Sequence, residues 1–403
     1  MNRKPSMPAL AAAFLLAGAG TVPALHAAPQ TRAFRQALTA TEGGTVRVAN
    51  LAGRIEIVRG QGRELVVETT VHAEASSAAE TQRLLQGMKW VKSHDRKGRQ
   101  EWALTYPVEK YRSYVYPSGK RGEDDDDIPA FLSFLKDIDV GHTSTHYRGE
   151  RVRIYRSKHG SAPVLFANLR VSLPANSDFA VRNAVGPVRG GDLEGNVEID
   201  TGSGDVEIAS HSGQLLIDTG SGDVVLGSAK GETSIDTGSG DVIVKRLIGN
   251  GSVDTGSGDV TVQRVSAGKV LIDTGSGDVV VQEGQVAKIM ADTGSGDVKI
   301  LSVELEELAA ETGSGDVTVR TSLAQARRIT AETGSGDIEI RGGPNASFDI
   351  EADQGSGDLE VGYADAVLRR SGRKVVGAKR GNGRTSIYVD TGSGDCRISP
   401  NGV

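Results

Sequence analysis

The chain has 403 residues, a formal net charge of -6, 53 glycines, 4% aromatic residues and one cysteine. Charged residues at 24% beside 37% hydrophobic ones exclude wholesale disorder, and a mildly acidic surface is a poor match for nucleic acid or an anionic membrane. The single cysteine, Cys396, excludes an intramolecular disulfide, so packing, backbone ladders or ions must hold the fold.

Residues 1–28 read as a secretory signal peptide. Arg3 and Lys4 supply the positive start, residues 9–19 an apolar stretch, and Ala27 or Ala28 the small residue before cleavage. The run is too short and too rich in Ala and Gly for a membrane span, and no later segment approaches spanning length. The mature chain is therefore expected in a bacterial periplasm, or secreted to the cell surface.

Residues 29–190 form a β-rich N-terminal part. Val46-Arg47-Val48, then Asn50 through Ile57, then Leu65-Val66-Val67-Glu68 alternate with the period of half-buried strands. Ser77-x-x-Glu80 is a capping box that opens a helix to about Met88, with Leu84, Leu85 and Met88 on its apolar side. Such a helix suits the end of a rod, where an uncovered strand invites edge pairing. Both tryptophans and six of the eight tyrosines fall between Trp90 and Phe166, so 107–165 reads as an aromatic and charged insertion. Its cluster of Tyr111, Tyr114 and Tyr116 is expected to pack rather than to stack on a glycan. The acidic run at 123–127 reads as a solvated loop, and 128–135 as a short amphipathic helix. His142-x-x-x-His146 has a spacing seen in metal sites, with Asp137, Asp139 and Glu150 as third ligands to choose from, but no cysteine lies near.

From 191 to 403 one motif dominates. Gly-Ser-Gly-Asp recurs ten times between Gly202 and Asp395, at spacings of 18 or 19 residues, then 21, and finally 37. A drifting period of this length marks stacked coils with loops at one corner, and the final interval predicts a degenerate coil or a large excursion. Val206-Glu207-Ile208 and Val260-Thr261-Val262 after the turn, and Val197-Glu198-Ile199-Asp200 before it, alternate apolar with polar residues. Two strands thus flank each glycine corner. The fold expected is an all-β β-solenoid of ten or eleven coils, a rod on the order of 50 Å long at ~4.8 Å per coil. One coil cannot stand alone, and stacking lets neighbours share each apolar face. Cys396 occupies the slot that holds Val, Ile or Leu in the other copies, which makes it a buried apolar substitute.

Stacking also predicts two acidic columns. One runs from Asp200 through Asp218, Asp236 and Asp254 to Asp390, and the other contains Asp205, Asp223, Asp241, Asp259, Asp278 and Asp297. Like charges ~4.8 Å apart repel by roughly 0.9 kcal/mol in bulk water. Amides of the turns can relieve this by donating to the carboxylates. Calcium bound between coils is the other reading, although the residue that calcium-binding β-rolls place between Gly and Asp is missing. Arg369, Arg370, Arg373, Lys374, Lys379, Arg380 and Arg384 form a basic excursion within the long last interval.

With these residues laid out, the chain resembles the bacterial putative-adhesin domain family, a family of largely unknown function. The resemblance rests on Val48-Ala49-Asn50-Leu51-Ala52-Gly53-Arg54-Ile55-Glu56-Ile57 and on Leu169-Arg170-Val171-Ser172-Leu173-Pro174 leading into the Gly-Asp-Val coils. It covers most of the mature chain outside 107–165, implies a β-solenoid, and brings no catalytic residues. The function expected is an exported, non-enzymatic adhesin, or an envelope-associated binding or scaffold protein with a surface or glycan partner. A polysaccharide-cleaving β-helix enzyme and a periplasmic regulatory or stress-response accessory are the alternatives.

Overall fold

A computed structural model describes residues 29–40, 44–117 and 142–401. The leader expected at 1–28, the acidic run at 123–127, the helix at 128–135, Asp137 and Asp139 all lie outside the described residues.

The period-2 pattern forms strands with one face in. Val197–Ser203 buries Val197, Ile199 and Thr201, and Val206–Ser212 buries Val206 and Ile208. Each strand lies parallel and in register on its counterpart one coil along. Val197 pairs with Leu215, Leu215 with Thr233, Thr233 with Gly251 and Gly251 with Val270. On the other side of the turn Val206, Val224, Val242, Val260 and Val279 form a continuous row. The result is an all-β solenoid whose core is a stack of aliphatic side chains, with Ile199, Ile217 and Ile235 directly above one another and buried.

The corner glycines do more than turn the chain. Gly240 has φ +146, and a Cβ placed on it would lie 2.2 Å from the carbonyl oxygen of Gly222 in the coil before. Glycine is required here both for the left-handed backbone and for the close approach of two coils. The residue before each turn, threonine in every copy but Gln354, points inward and forms a buried polar row, as where Thr293 Oγ1 donates to the Gly277 carbonyl at 2.9 Å and Thr333 Oγ1 to that of Gly315 at 2.8 Å. The row begins with amides, Asn50 Nδ2 donating to Asn183 Oδ1 at 3.2 Å.

Stacking starts well before the first Gly-Ser-Gly-Asp turn. Val46–Ala52 and Ile55–Arg59 form a coil that pairs in parallel with Phe179–Val185 and Val188–Glu194. Phe179–Val185 pairs onward with Val197–Ser203. The chain therefore leaves the solenoid after this first coil and returns at 179 to build the second. The excursion covers the first coil: Gln100–Leu104 adds beside Val46–Ala52, and Val164–Leu173 beside Ile55–Arg59. Leu65–Glu74 and Gln30–Leu38 then continue the sheet antiparallel. The helix, Ala78–Gly87, buries Leu84 and Leu85, and Ser77 caps it by accepting from the Glu80 amide. Only that half of the capping box forms, because the Glu80 carboxylate turns to Ser76 Oγ at 2.6 Å and Lys110 Nζ at 2.9 Å. Tyr106, Tyr114 and Tyr147 are buried edge-to-face within this cap, and Tyr147 donates to the Leu104 carbonyl at 2.7 Å. These aromatics fill a core.

At the far end, chain order and stacking order part. Thr385–Thr391 lies between Arg328–Thr333 and Phe348–Gln354, parallel to both. Cys396–Pro400 lies likewise between Ile338–Gly342 and Leu359–Val361. The last coil in sequence is thus the last but one in space. A hairpin of Val367–Ser371 and Lys374–Arg380 then closes the rod, its second strand antiparallel to Phe348–Gln354. Because every coil presents the same backbone and apolar pattern, the ladder accepts a late segment between two earlier ones. Cys396 sits between Ile338 and Leu359, 1% exposed, and burial first of all pushes its thiol up to about 12.

Candidate functional site

The flat face before the turns carries the first acidic column. Arg182 pairs with Asp200, which pairs with Asp218, and the row runs on through Asp236, Asp254, Asp273 and Asp292 to Glu311 and Glu332. Asp390 follows Glu332, and Asp353 comes last, in the inverted order of the final coils. Beside it on the same face runs a less polar row in which Leu216 and Met290 stand exposed. Between Ser252 and Glu311 the two rows line a shallow groove of about 330 Å³, with Leu271 and Met290 along one side and Asp254, Asp273 and Asp292 along the other. Burial first, then the flanking carboxylates, raise Asp236 and Asp273 above the ordinary aspartate range.

The second column is held differently. The amide of Asp223 donates to Asp205 Oδ1 at 3.1 Å, and the same link joins Asp241 to Asp223 at 3.0 Å, Asp259 to Asp241 at 2.9 Å, and Asp278 to Asp259 and Asp297 to Asp278 at 2.8 Å each. Each carboxylate thus accepts from the amide of its equivalent one coil along, which offsets the mutual repulsion. Lys299 adds a cation, 3.3 Å from Asp278 and 2.8 Å from Asp297, and its hydrogen bond is the main reason Asp297 titrates low. Among the described residues no group of three or more His, Cys, Asp or Glu side chains is arranged to hold a metal ion. One carboxylate oxygen per coil is already engaged by an amide.

The histidine pair also fails to converge. His142 and His146 lie four residues apart along extended chain at Thr143–Tyr147, a separation of about 13 Å. His142 packs near Tyr155 and His146 faces Arg151 across the strand pair. Glu150, the described candidate for third ligand, is engaged by Arg112, which holds its carboxyl low.

One place breaks the evenness of the rod. The hairpin of Trp90–His94 and Gln100–Leu104 leans over the start of the acidic column and encloses a cleft of about 420 Å³. Its tip is set by Asp95, whose Oδ1 accepts from the amides of Lys97 at 2.9 Å and Arg99 at 2.7 Å, with Gly98 at φ +78. Arg99 joins roof to floor: its guanidinium lies 2.6 Å from Asp95 and donates to both oxygens of Glu198, at 3.1 and 3.2 Å. Deeper in, Arg182 donates to Glu101 at 2.7 Å, and the Glu101 side chain is only 4% exposed. Burial raises Glu101 despite that arginine, and burial followed by Asp218 raises Asp200. Arg96 and Lys97 complete the basic rim over Asp200, Asp218 and Asp236. None of Asp95, Arg99, Glu101 or Arg182 is singled out by the repeat. Their only signal in the sequence is a charged Asp-Arg-Lys-Gly-Arg turn between two short alternating runs.

Residues 228–399 match the family model described as Toastrack DUF4097. Over these residues the chain is similar to that family. The matched segment takes in the coils from the middle of the rod to its inverted end; the cap lies before it, and so does the lining of the cleft apart from Ser234 and Asp236. Among solved structures the chain is similar to one described as a putative cell adhesion protein from Clostridium sporogenes, at 9% identity over 92% of this chain and 100% of that one, with a TM-score of 0.16. At that score the likeness says nothing about what this chain does. No curated protein matches the chain. Among the described residues no helix is long and apolar enough to cross a membrane.

Proposed function

We propose that this protein is exported and non-enzymatic, an adhesin-like envelope protein that binds a surface or glycan partner along its acidic face. The observation that carries this reading is the row from Asp200 to Glu332, one carboxylate per coil beside a row that includes Leu216, Leu271 and Met290. A polyvalent row suits a repetitive or extended partner that offers cations or hydrogen-bond donors along its length. Export rests on the leader-like composition of residues 1–28.

The polysaccharide-cleaving alternative would draw on the cleft. General acid–base work needs two carboxyl groups whose environments drive their pKa values apart. Glu101 and Asp200 are both driven upward, and Glu101 is held by Arg182, an arrangement that favours binding over catalysis.

The test is binding of the purified chain to intact cells, a glycan panel and envelope proteins, alongside the triple variant D254N/D273N/D292N. The variant is expected to bind at least about tenfold more weakly, as the loss of three neighbouring contacts implies. A blank across all panels, or equal binding by the variant, would overturn the reading.

A further inference from the structure

The closing hairpin leaves one strand with a bare edge. Val367–Ser371 pairs only with Lys374–Arg380 among the described residues. All five of its residues are exposed, and Val367 at 71% and Leu368 at 40% are adjacent large apolar side chains in water. The pairing register shifts between Arg369, opposite Gly377, and Arg370, opposite Val375. The extra residue, Val376, therefore belongs to the inner strand, and the outer strand keeps an unbroken extended backbone. Its free donors and acceptors form a template for one more strand.

The charges around the edge select what can add. Arg369 and Lys379 pair with Asp349, and Arg380 pairs with Asp365. Arg370 and Arg373 take no part in these ion pairs, and Arg370 donates to the Arg373 carbonyl at 3.3 Å. A second copy laid antiparallel about the centre of this edge would set Arg369 or Arg370 against an arginine of the other copy in each of the three central registers, which is unfavourable between directly opposed strands. Two edges at the other end of the molecule, Gln30–Leu38 and Trp90–His94, carry Arg32, Arg35 and Lys92, so joining ends would also bring cations together. Arginines on an edge discourage cationic strands, including this chain's own, and admit acidic ones.

We propose that Val367–Ser371 is a docking edge for an extended acidic segment of a partner protein, which joins the sheet as an additional strand. Backbone hydrogen bonds hold the segment, Val367 and Leu368 contact its apolar residues, and Arg370 and Arg373 pair with its carboxylates. This edge lies at the rod's end and does not depend on how the acidic face is used.

The experiment titrates the full chain against a labelled ten-residue peptide of alternating Glu and Val. The controls are the same peptide N-methylated at alternate amides, which keeps its charge but cannot extend a sheet, and an alternating Lys and Val peptide. The Glu–Val peptide is expected to bind, with the N-methylated form at least about tenfold weaker and the Lys–Val peptide not bound. The variant R370E/R373E, changed only at exposed side chains, should lose a comparable factor, and hydrogen exchange at 367–371 should slow with peptide present. Equal binding of the N-methylated peptide would reduce the site to charge alone and overturn strand addition. So would absence of binding, unchanged affinity of the variant, or concentration-dependent self-association through this edge without peptide.

Discussion

Gly240 shows at one residue why the repeat tolerates so little change. An alanine there would push its methyl into the Gly222 carbonyl at 2.2 Å while holding φ near +146. Gly240→Ala is expected to cost about 2–4 kcal/mol in urea unfolding. Gly87→Ala, at a position with open space around it, should stay within about 0.5 kcal/mol. Equal costs would show that crowding between coils is not the constraint. Asp200 carries a different burden. Its carboxyl is raised above the ordinary aspartate range, first by burial under the hairpin and then by Asp218. A carboxyl raised in the fold stabilises it below the ordinary aspartate range, and that contribution is lost as pH rises through the raised folded value. Near neutral pH the ionised group therefore weakens the fold. Asp200→Asn should raise Tm at pH 7 by roughly 2 °C, and the difference from the parent chain should shrink on acidification. A variant that melts lower at pH 7, or a gap that widens as pH falls, would contradict this. The repeat placed Asp200 in a column, and the overhanging hairpin encloses it in the cleft.

At the scale of elements, the C-terminal coil is the least expected part of the molecule. Thr385–Thr391 and Cys396–Pro400 supply the parallel neighbours of Phe348–Gln354 and Leu359–Val361, which have no direct parallel pairing to the coil at 328–342. The chain reaches this slot through residues 381–384, where Ser347 Oγ accepts from the Gly383 amide at 3.1 Å and holds the crossover. Removing residues 385–403 should strand the coil at 348–361 and its hairpin. Limited proteolysis of the shortened chain is expected to cut within 343–384 at least about tenfold faster than in the full chain, while 179–342 stays protected. Persistent protection of 343–384 would mean that the coil restacks directly on 328–342. The interval of 37 residues announced an excursion, and a hairpin is there. Its inverted stacking was hidden because Val, Ile, Leu and Cys396 are interchangeable in the slot, so sequence order is the only guide and here it misleads. The helix was legible from Ser77 and its apolar side, yet Glu80 serves Ser76 and Lys110 rather than its own cap.

Across the whole molecule, cap, coils and closing hairpin make one continuous sheet whose core stacks like on like. The acidic face is the long-range consequence, one carboxylate per coil set by the parallel register. The cleft near its start and the bare edge at its end are the two places where the repeat gives way to something unique. What the sequence by itself determined is the coil: period-2 alternation sets which side chains face in, the glycines set the corners, and the recurrence sets the columns. Those are local rules, applied identically in each copy. Only the tertiary structure decided where the stack begins, since the coil of Val46–Ala52 and Ile55–Arg59 is separated from its neighbour by the whole excursion to Phe179. It alone decided the order of the last two coils, the burial of Glu101 beside Arg182, and the exposure of Val367–Ser371. The physical reason is the same in each case. These features depend on which segment lies against which, and a ladder of near-identical strands leaves that choice to contacts between residues far apart in the chain.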